Sequence, residues 1–329
     1  MIRIPNALAS AAVLVALSLP LAAQQNVPAA PAEQTPTAPV PATELVFPNP
    51  DPANFTATSP TKETVNAFLK VNWGYDEKRV WQVQGILKTQ LEGYSKVIVF
   101  VGEKGSTTQK PQGMQFIVLP DGKHIISGDE ILPFGDYPFA DHKAVVKLMA
   151  DGPYRGSASK DLELVEFSDF QCPHCKEAQT LMDKLLVDFP KARIVYQNYP
   201  LTMIHPAAFT AAAYSVCVAK LGGNSAFFTY ASAVFEGQEG LSSTDGTTLT
   251  LNSAVVKAGL EPAKVEACSK TAATKANVDS SVKLAQDLGI SQTPTLMING
   301  REIPIGGIPY ETLKQIVAFQ AKLDGVATK

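Results

Sequence analysis

The sequence predicts an α/β protein with two folded units: a small α+β unit, in which a helix covers an antiparallel sheet, and a larger unit with helices around a central sheet. Three observations support this. Runs of β-branched and apolar residues broken by turn residues fill residues 80 to 131. Strand and helix patterns alternate from Asp161 onward. A long helical region, about 205–289, precedes the last two strands. The chain has 329 residues, 45% of them hydrophobic, which is enough for two cores.

The chain begins with a segment that differs from the rest. In residues 1–23, Arg3 precedes the apolar run ALASAAVLVALSLPLA, and the polar residues of AAQQ follow. This pattern predicts a secretory signal peptide cleaved near Ala23. A membrane anchor is the alternative, but Pro20 interrupts a run that is shorter than the ~20 apolar residues of a spanning helix. We therefore expect a soluble mature protein in the periplasm or another extracytoplasmic, oxidising compartment. Residues 24–44, rich in Pro and Ala, are expected to form an extended linker.

The charge of the chain excludes one class of partner. The net charge is -3 and the isoelectric point is near 5.9, and no cluster of Lys and Arg stands out. Neutralising a phosphate backbone requires a basic surface. Nucleic acid is therefore not an expected partner.

The first unit, residues 45–155, is predicted to pack a short helix on an antiparallel sheet. Ser59 is expected to be the N-cap of this helix and Pro60 its first residue. The turn Pro120-Asp121-Gly122 between two apolar runs predicts a hairpin. The unit contains no cysteine and its histidines lie apart, so we expect dimerisation or contact with client proteins as its role.

The second unit, residues 156–329, starts with the strand LELVEF, a helix from Pro173 to about Phe189, and the strand ARIVYQN. After the helical region about 205–289 come the strand PTLMI, the turn Asn299-Gly300, the strand REIPI and a last helix. An Asn-Gly pair between two short apolar runs is a strong hairpin signal. This order of elements is that of a thioredoxin-like core that carries a helical insertion.

The chemistry of the second unit is expected at the junction FQCPHCKE, between the first strand and the first helix. Cys172 is expected at the N-cap, Pro173 at the first helical position, and Cys175 one turn later within disulfide reach. The positive end of the helix dipole and a donor or cation from His174 both favour the thiolate of Cys172. A stabilised thiolate makes the reduced pair stable and its disulfide a strong oxidant.

Two alternatives use the same junction differently. The cluster of two cysteines and a histidine can hold copper or zinc, which makes the protein a metal-binding module. A structural zinc site normally has four protein ligands. Cys217, Cys268 and His205 would therefore have to come together with the CPHC cysteines to complete one. An inert structural disulfide is the other alternative.

Two segments carry a family resemblance. VEFSDFQCPHCKEAQTLMDKLL resembles the active-site segment of the DsbA family of periplasmic thiol-disulfide oxidoreductases, and SQTPTLMINGREIPIGG is similar to that family's cis-proline loop. The resemblance covers roughly residues 155 to 325. It implies a cis bond between Thr293 and Pro294, placed against the cysteine pair and offering backbone to a substrate peptide.

The same resemblance implies how the protein works and with what. The redox group is the Cys172–Cys175 disulfide, and no further cofactor is expected. The expected partners are unfolded or cysteine-containing secreted proteins and a membrane redox partner that resets the active site. Glu166, near the end of a buried strand, matches the position of the family's acidic proton relay and is expected to serve Cys175. The alternative for Glu166 is an edge carboxylate that faces solvent.

The remaining cysteines lie in the helical region. Four cysteines allow three pairings, and if the CPHC pair is local, Cys217 and Cys268 are left for each other. Some bacterial DsbA-like proteins carry a comparable second disulfide. Two separately buried free thiols are the alternative, which an oxidising compartment disfavours.

The first unit resembles a different family. FIVLPDGKHIISGD is similar to a hairpin in the N-terminal dimerisation domain of the disulfide isomerases DsbC and DsbG. This similarity implies a possible homodimer. The chain thus combines an oxidase-like active site with an isomerase-like layout, and the direction of electron flow, oxidase or isomerase and reductase, stays open.

Overall fold

The computed structural model of the protein describes residues 46–106 and 110–329. The predicted signal peptide and linker, residues 1–23 and 24–44, lie outside the described residues. Within the two described ranges, no helix combines the length and the apolar character needed to cross a bilayer.

The first sheet is antiparallel and has five strands in the order β1-β2-β3-β4-β5. One helix packs on it through Val65, Phe68 and Leu69, which meet Val83 and Val97 from the strands. This is the predicted helix on an antiparallel sheet. The elements are α1 (Lys62–Trp73), β1 (Arg79–Lys88), β2 (Ser95–Glu103), β3 (Gln112–Val118), β4 (His124–Ser127) and β5 (Glu130–Pro133).

The predicted start of α1 is wrong by two residues. Thr61, not Ser59, is the N-cap: its side-chain oxygen accepts from the backbone N–H of Thr64. A threonine hydroxyl caps a helix much as a serine hydroxyl does, so the sequence offered two competing positions. The structure uses Ser59 elsewhere, because its carbonyl accepts the hydroxyl of Ser95 on β2, and Pro60 precedes the helix.

The second sheet also has five strands, in the order β10-β9-β7-β8-β6. Strands β7 and β8 are parallel, and the other pairs are antiparallel. The elements are α2 (Ala140–Met149), β6 (Tyr154–Gly156), β7 (Leu162–Ser168), α3 (Pro173–Asp188), β8 (Ala192–Asn198), α4 (Ala208–Glu236), α5 (Thr244–Lys257), α6 (Pro262–Ser269), α7 (Ala272–Asp287), β9 (Thr295–Ile298), β10 (Arg301–Pro304) and α8 (Tyr310–Leu323).

Strand β7 is buried on both faces, which explains its nearly continuous apolar sequence. Leu162 and Leu164 pack against α3 and α8. Val165 and Phe167 point the other way and pack with residues of α2 and α7. Because side chains alternate along a strand, Glu166 falls on the face of α3. The sheet therefore carries a carboxylate toward the helix that begins at the cysteine pair.

Two elements before residue 156 belong to the layers of the second sheet. Strand β6 pairs with β8, and Val146 of α2 and Ala150, the residue directly after this helix, pack with residues of β7. The division expected at residues 155 and 156 from the sequence therefore falls inside β6. Helix α2 covers a sheet that follows it in the chain.

The hairpin of β9 and β10 joins the two sheets. Its turn residues Asn299 and Gly300 have φ angles of 48° and 89°, as the Asn-Gly signal predicts. Arg301, only 4% exposed, donates to the carbonyls of Val71 at 3.1 Å and Asn72 at 2.5 Å, at the end of α1. A helix end leaves such carbonyls without helical partners. Arg301 thus fixes the helix of the first sheet to the edge of the second.

Candidate active site

The backbone at the start of α3 places the two cysteines as the sequence predicts. Cys172 is the N-cap residue, with φ -77° and ψ 122°, and Pro173 occupies the first helical turn. Cys175 follows within the first turn, and its backbone N–H donates to the carbonyl of Cys172 at 3.1 Å. Both cysteines are free thiols in this structure. Strand β7 and helix α3 therefore bring both sulfurs to the same end of the sheet.

The two sulfurs differ in acidity. The pKa of Cys172 is lowered to about 5, first by the hydrogen bond from the Cys175 thiol, with help from the backbone N–H groups of Cys175 and His174. Burial raises the pKa of the Cys175 thiol well above its usual range. Cys172 is 6% exposed and Cys175 is fully buried. Cys172 is thus the thiolate that a substrate can reach, and Cys175 is its proton-bearing partner.

The loop before β9 faces Cys172. The bond between Thr293 and Pro294 is cis, as the resemblance implied. The sulfur of Cys172 lies 3.5 Å from the carbonyl oxygen of Thr293. A Cβ on Gly306, after β10, would lie 3.8 Å from both His174 Cβ and Pro294 Cδ, so this loop also borders the site. The backbone beside Cys172 is therefore close enough to hold an extended peptide against the sulfur.

Glu166 lies under the start of α3 and is 1% exposed. Gln179 Nε2 donates to Glu166 Oε1 at 2.8 Å and to the carbonyl of Cys175 at 3.2 Å, so one amide links the carboxyl to the cysteine. Burial raises the pKa of Glu166 to about 7, while the charge of Arg155 opposes this shift. The carboxylate does not face solvent as an edge residue would. A carboxyl group with this pKa can both take up and release a proton near neutral pH.

The His174 side chain lies at the surface beside Glu177, and its charge interacts with Cys172 more weakly than with Glu177. Its ring Nδ1 lies 3.1 Å from Glu177 Oε2, and the side chain is 64% exposed. The hydrogen bond to Glu177 raises the pKa of His174. The donor that residue 174 gives to Cys172 is its backbone N–H. Any residue other than proline supplies that donor.

Sequence reasoning missed Asp169, a buried carboxylate three residues before Cys172. Its oxygens accept from the backbone N–H groups of Gln171 at 2.7 Å and Leu201 at 2.8 Å, and lie 2.8 Å from His205 Nδ1. Its own backbone N–H donates to the sulfur of Cys175 at 3.4 Å. A polar residue directly before the cysteine turn, in the run FSDFQC, was the available signal. His205, a candidate ligand in the metal alternative, is engaged by this carboxylate.

The other two cysteines are joined. Cys217 on α4 and Cys268 on α6 form a disulfide with an S–S distance of 2.00 Å and a Cα–Cα distance of 5.9 Å. This is the pairing expected from the sequence. Among residues 46–106 and 110–329, no group of three or more His, Cys, Asp and Glu side chains is arranged to hold a metal ion.

Comparison with known proteins relates the second unit to one family and to several single proteins. The model of the thioredoxin family matches residues 149–318. The Na(+)/H(+) antiporter NhaA 3 of Salinispora tropica is 30% identical over 147 residues, which are 45% of this chain and 21% of that protein. The chain thus spans about a fifth of the length of this relative.

Two bacterial proteins are among the solved structures that this chain resembles. Oxidised BdbD from Bacillus subtilis is 22% identical, has a TM-score of 0.47, and the match covers 52% of this chain and 93% of that one. DsbA2 from Pseudomonas aeruginosa is 26% identical, has a TM-score of 0.44, and the match covers 51% of this chain and 93% of that one.

Proposed function

This chain belongs to the thioredoxin family, and from its cysteine pair we propose that it is a thiol-disulfide oxidoreductase that introduces or exchanges disulfides in client proteins. One observation carries the proposal. An accessible sulfur with a pKa of about 5 lies beside a buried sulfur with a raised pKa, and the Thr293-Pro294 backbone faces them. Structural disulfides do not require sulfurs of such unequal acidity.

The reaction follows from the positions of the two sulfurs. A client thiolate attacks the sulfur of Cys172 in the Cys172–Cys175 disulfide, and Cys175 leaves as a thiolate. A mixed disulfide now joins Cys172 to the client. A second client thiolate attacks the client sulfur of that bond, and Cys172 leaves as a stable thiolate. The client gains one disulfide and the cysteine pair accepts two electrons.

Proton transfer supports the first step. Cys175 leaves as a thiolate in a fully buried position, where the charged form is costly. Glu166 lies under the start of α3, where Gln179 binds both its carboxyl group and the backbone carbonyl of Cys175, and its pKa of about 7 lets it release a proton near neutral pH. We assign Glu166 the role of proton relay for Cys175, and the reverse transfer serves the return to the disulfide.

The acidity of Cys172 favours oxidation as the direction. If the pKa falls from about 8.5 in the unfolded chain to about 5, the thiolate stabilises the reduced form by about 3 kcal/mol at pH 7. This corresponds to about 60 mV toward the oxidising end for a two-electron couple. A disulfide isomerase or reductase of the DsbC and DsbG type is the second candidate, because of the additional first sheet.

The proposal also covers where the protein works, which partners it has and what its first sheet does. The pattern of residues 1–23 and the Cys217–Cys268 disulfide favour a periplasmic or other extracytoplasmic location. The clients are cysteine-containing secreted proteins, and a membrane redox partner with a disulfide of its own takes the electrons from the reduced pair. The first sheet serves dimerisation or client contact, and no cofactor beyond the cysteine pair is required.

The direct test is the oxidation of a peptide with two thiols by the mature protein. We expect stoichiometric oxidation by the oxidised wild type and none by Cys172→Ser or Cys175→Ser. Given a disulfide-bonded peptide instead, the Cys172 thiolate of Cys175→Ser should attack that disulfide and form a mixed disulfide that Cys175 is no longer there to resolve. The double variant Cys217→Ser/Cys268→Ser is the control, because it removes two cysteines away from the site. Unchanged oxidation by Cys172→Ser would refute the assignment.

The same preparation tests the alternatives. A metal-binding module predicts about one copper or zinc ion per chain in protein purified without chelator, so metal-free protein with full exchange activity excludes that function. An isomerase predicts that the reduced protein corrects a client with wrong disulfides. Light scattering of the full protein tests the dimer, and a monomer contradicts it.

A further inference from the structure

Gln238 contacts the active-site turn from the helical insertion. It begins the short 3-10 turn Gln238–Ser242 after α4 and lies 66 residues beyond Cys172. Its side-chain nitrogen Nε2 donates to the backbone carbonyls of Phe170 and Cys172, both at 2.9 Å. A side-chain amide carries two N–H donors, so each of them has one carbonyl as its acceptor.

The carbonyl of Cys172 is also the first acceptor of α3. The backbone N–H groups of Cys175 and Lys176 donate to it at 3.1 and 3.3 Å. Gln238 is a third donor to the same oxygen. The ψ angle of Cys172, 122°, is the rotation about its Cα–C bond, so it determines the direction in which this carbonyl points. Holding the carbonyl therefore holds the backbone of Cys172, from which the sulfur projects, in place at the start of the helix.

A second glutamine ties the turn to the insertion without contacting Cys172. Gln171 Nε2 donates to the carbonyl of Leu241 at 3.1 Å, and Gln171 Oε1 accepts from the N–H of Ala207 at 2.8 Å. The turn is thus held from the insertion on two sides. Of these side-chain bonds between the turn and the insertion, the one from Gln238 to the carbonyl of Cys172 ends on the residue that bears the reactive sulfur.

We propose that Gln238 is a positioning residue for Cys172: it fixes the turn 170–172 so that the thiolate faces the first backbone N–H groups of α3. Through Gln238, the helical insertion sets how strongly the cysteine pair oxidises its clients. The inference rests on the proposed function, since oxidising strength has a meaning only for a redox-active pair. Gln238 itself touches neither the sulfur nor the client.

The test compares the wild type with Gln238→Met, which keeps a similar side-chain length and removes both donors. The thiolate of Cys172 is titrated by its ultraviolet absorbance, and the thiol-disulfide equilibrium with glutathione is measured. We expect the pKa of Cys172 to rise by about one unit, because the turn that presents the thiolate to the first backbone N–H groups of α3 loses this anchor. The equilibrium constant should shift about tenfold, or about 30 mV, toward a weaker oxidant.

Gln84→Met is the matched control. Gln84 is a buried glutamine on β1, 7% exposed, and its Nε2 also donates to a backbone carbonyl, that of Pro48 at 3.1 Å. The same chemical change in the first sheet is expected to lower the thermal midpoint while leaving the pKa of Cys172 and the glutathione equilibrium at their wild-type values. A purely structural role of Gln238 would give the same result as this control.

The outcomes separate the inference from the proposed function. A folded Gln238→Met variant with wild-type pKa and equilibrium constant overturns the inference. If that variant does not fold, Gln238→Asn replaces it: its amide is one methylene shorter and cannot reach both carbonyls, so a smaller shift in the same direction is expected, and no shift overturns the inference. A wild type that exchanges no thiols refutes the proposed function instead.

Discussion

The two cysteine pairs lie in two regions, the start of α3 and the helical insertion, and they differ in chemistry more than in burial. Cys172, Cys175 and Cys217 are all buried, at 6%, 0% and 0% exposure. Cys217 is held in a disulfide with a residue 51 positions away, while the other pair spans one helical turn. What distinguishes Cys172 is the group of donors around its sulfur. Reactivity in this chain therefore follows from the donors gathered at a helix start, first the Cys175 thiol and then the backbone N–H groups of Cys175 and His174.

The largest expected difference between the pairs is in stability. Removing the Cys217–Cys268 disulfide with the double variant Cys217→Ser/Cys268→Ser should lower the free energy of unfolding by about 4 kcal/mol, since the bond closes a loop with a sequence separation of 51. Denaturant midpoints measure the loss, and the pKa of Cys172 should not change. A loss below about 1 kcal/mol would contradict a structural role for this pair.

The active-site pair should show the opposite sign. We expect the reduced form to be stabilised over the oxidised form, with a thiolate contribution of about 3 kcal/mol at pH 7. Because the pKa of Cys172 is lower in the folded chain, this contribution is complete above about pH 8.5 and disappears as the pH falls through about 5. Denaturant midpoints of both forms, with Cys217–Cys268 kept oxidised, measure it. An oxidised form that is more stable by several kcal/mol would rule out the oxidase.

Glu166→Gln should stabilise the protein by about 3 kcal/mol at pH 7, because the variant removes the cost of ionising a buried carboxyl group whose pKa is raised to about 7. The pKa of Glu166 is higher in the folded chain, so the wild type is penalised only as the pH rises from about 4 through about 7. At pH 4 the two proteins should unfold alike. A gain that does not depend on pH would point to packing rather than to ionisation.

The smallest effect is expected at His174. The ring is exposed and bound to Glu177, and its backbone N–H survives the change His174→Ala. The pKa of Cys172 should therefore move by less than about half a unit, because solvent screens the charge of an exposed ring. Titration of the thiolate measures this. A shift larger than that of Gln238→Met would return the ring to the role that the sequence first indicated.

The local part of the site was predictable from the sequence. The position of Cys172 at the N-cap follows from a strand, a proline and a helix in direct succession, and the turn at Asn299 and Gly300 follows from the two residue types that accept its dihedral angles. Both depend on interactions within a few residues. The prediction of Ser59 as the N-cap of α1 was wrong where a distant residue takes part: the carbonyl of Ser59 accepts the hydroxyl of Ser95 on β2, and Thr61 caps the helix.

The tertiary part of the site was not predictable. Gln238 reaches the turn from a 3-10 turn 66 residues away, and no periodicity or motif marks it. In the sequence, Gln179 looks like an ordinary polar residue on the surface of α3. The structure shows that it binds Glu166, which lies beneath it. The direction of the His174 ring depends on Glu177, one turn further along, and many rotamers compete there. Such contacts depend on how elements pack.

Arg301 gives the molecule a fixed internal span. Its guanidinium holds two carbonyls at the end of α1 and lies over the rings of Tyr75 and Phe139, each 5.5 Å away, while the chain next to it leads into the loop that borders Cys172. Through these contacts, Arg301 holds the helix of the first sheet against the hairpin of the second sheet. A client polypeptide bound at the first sheet would reach the sulfur of Cys172 with a cysteine that lies a fixed number of residues away from the bound segment. The distance between a client segment bound at the first sheet and the sulfur of Cys172 would then be set by the fold, and not by the length of a flexible linker.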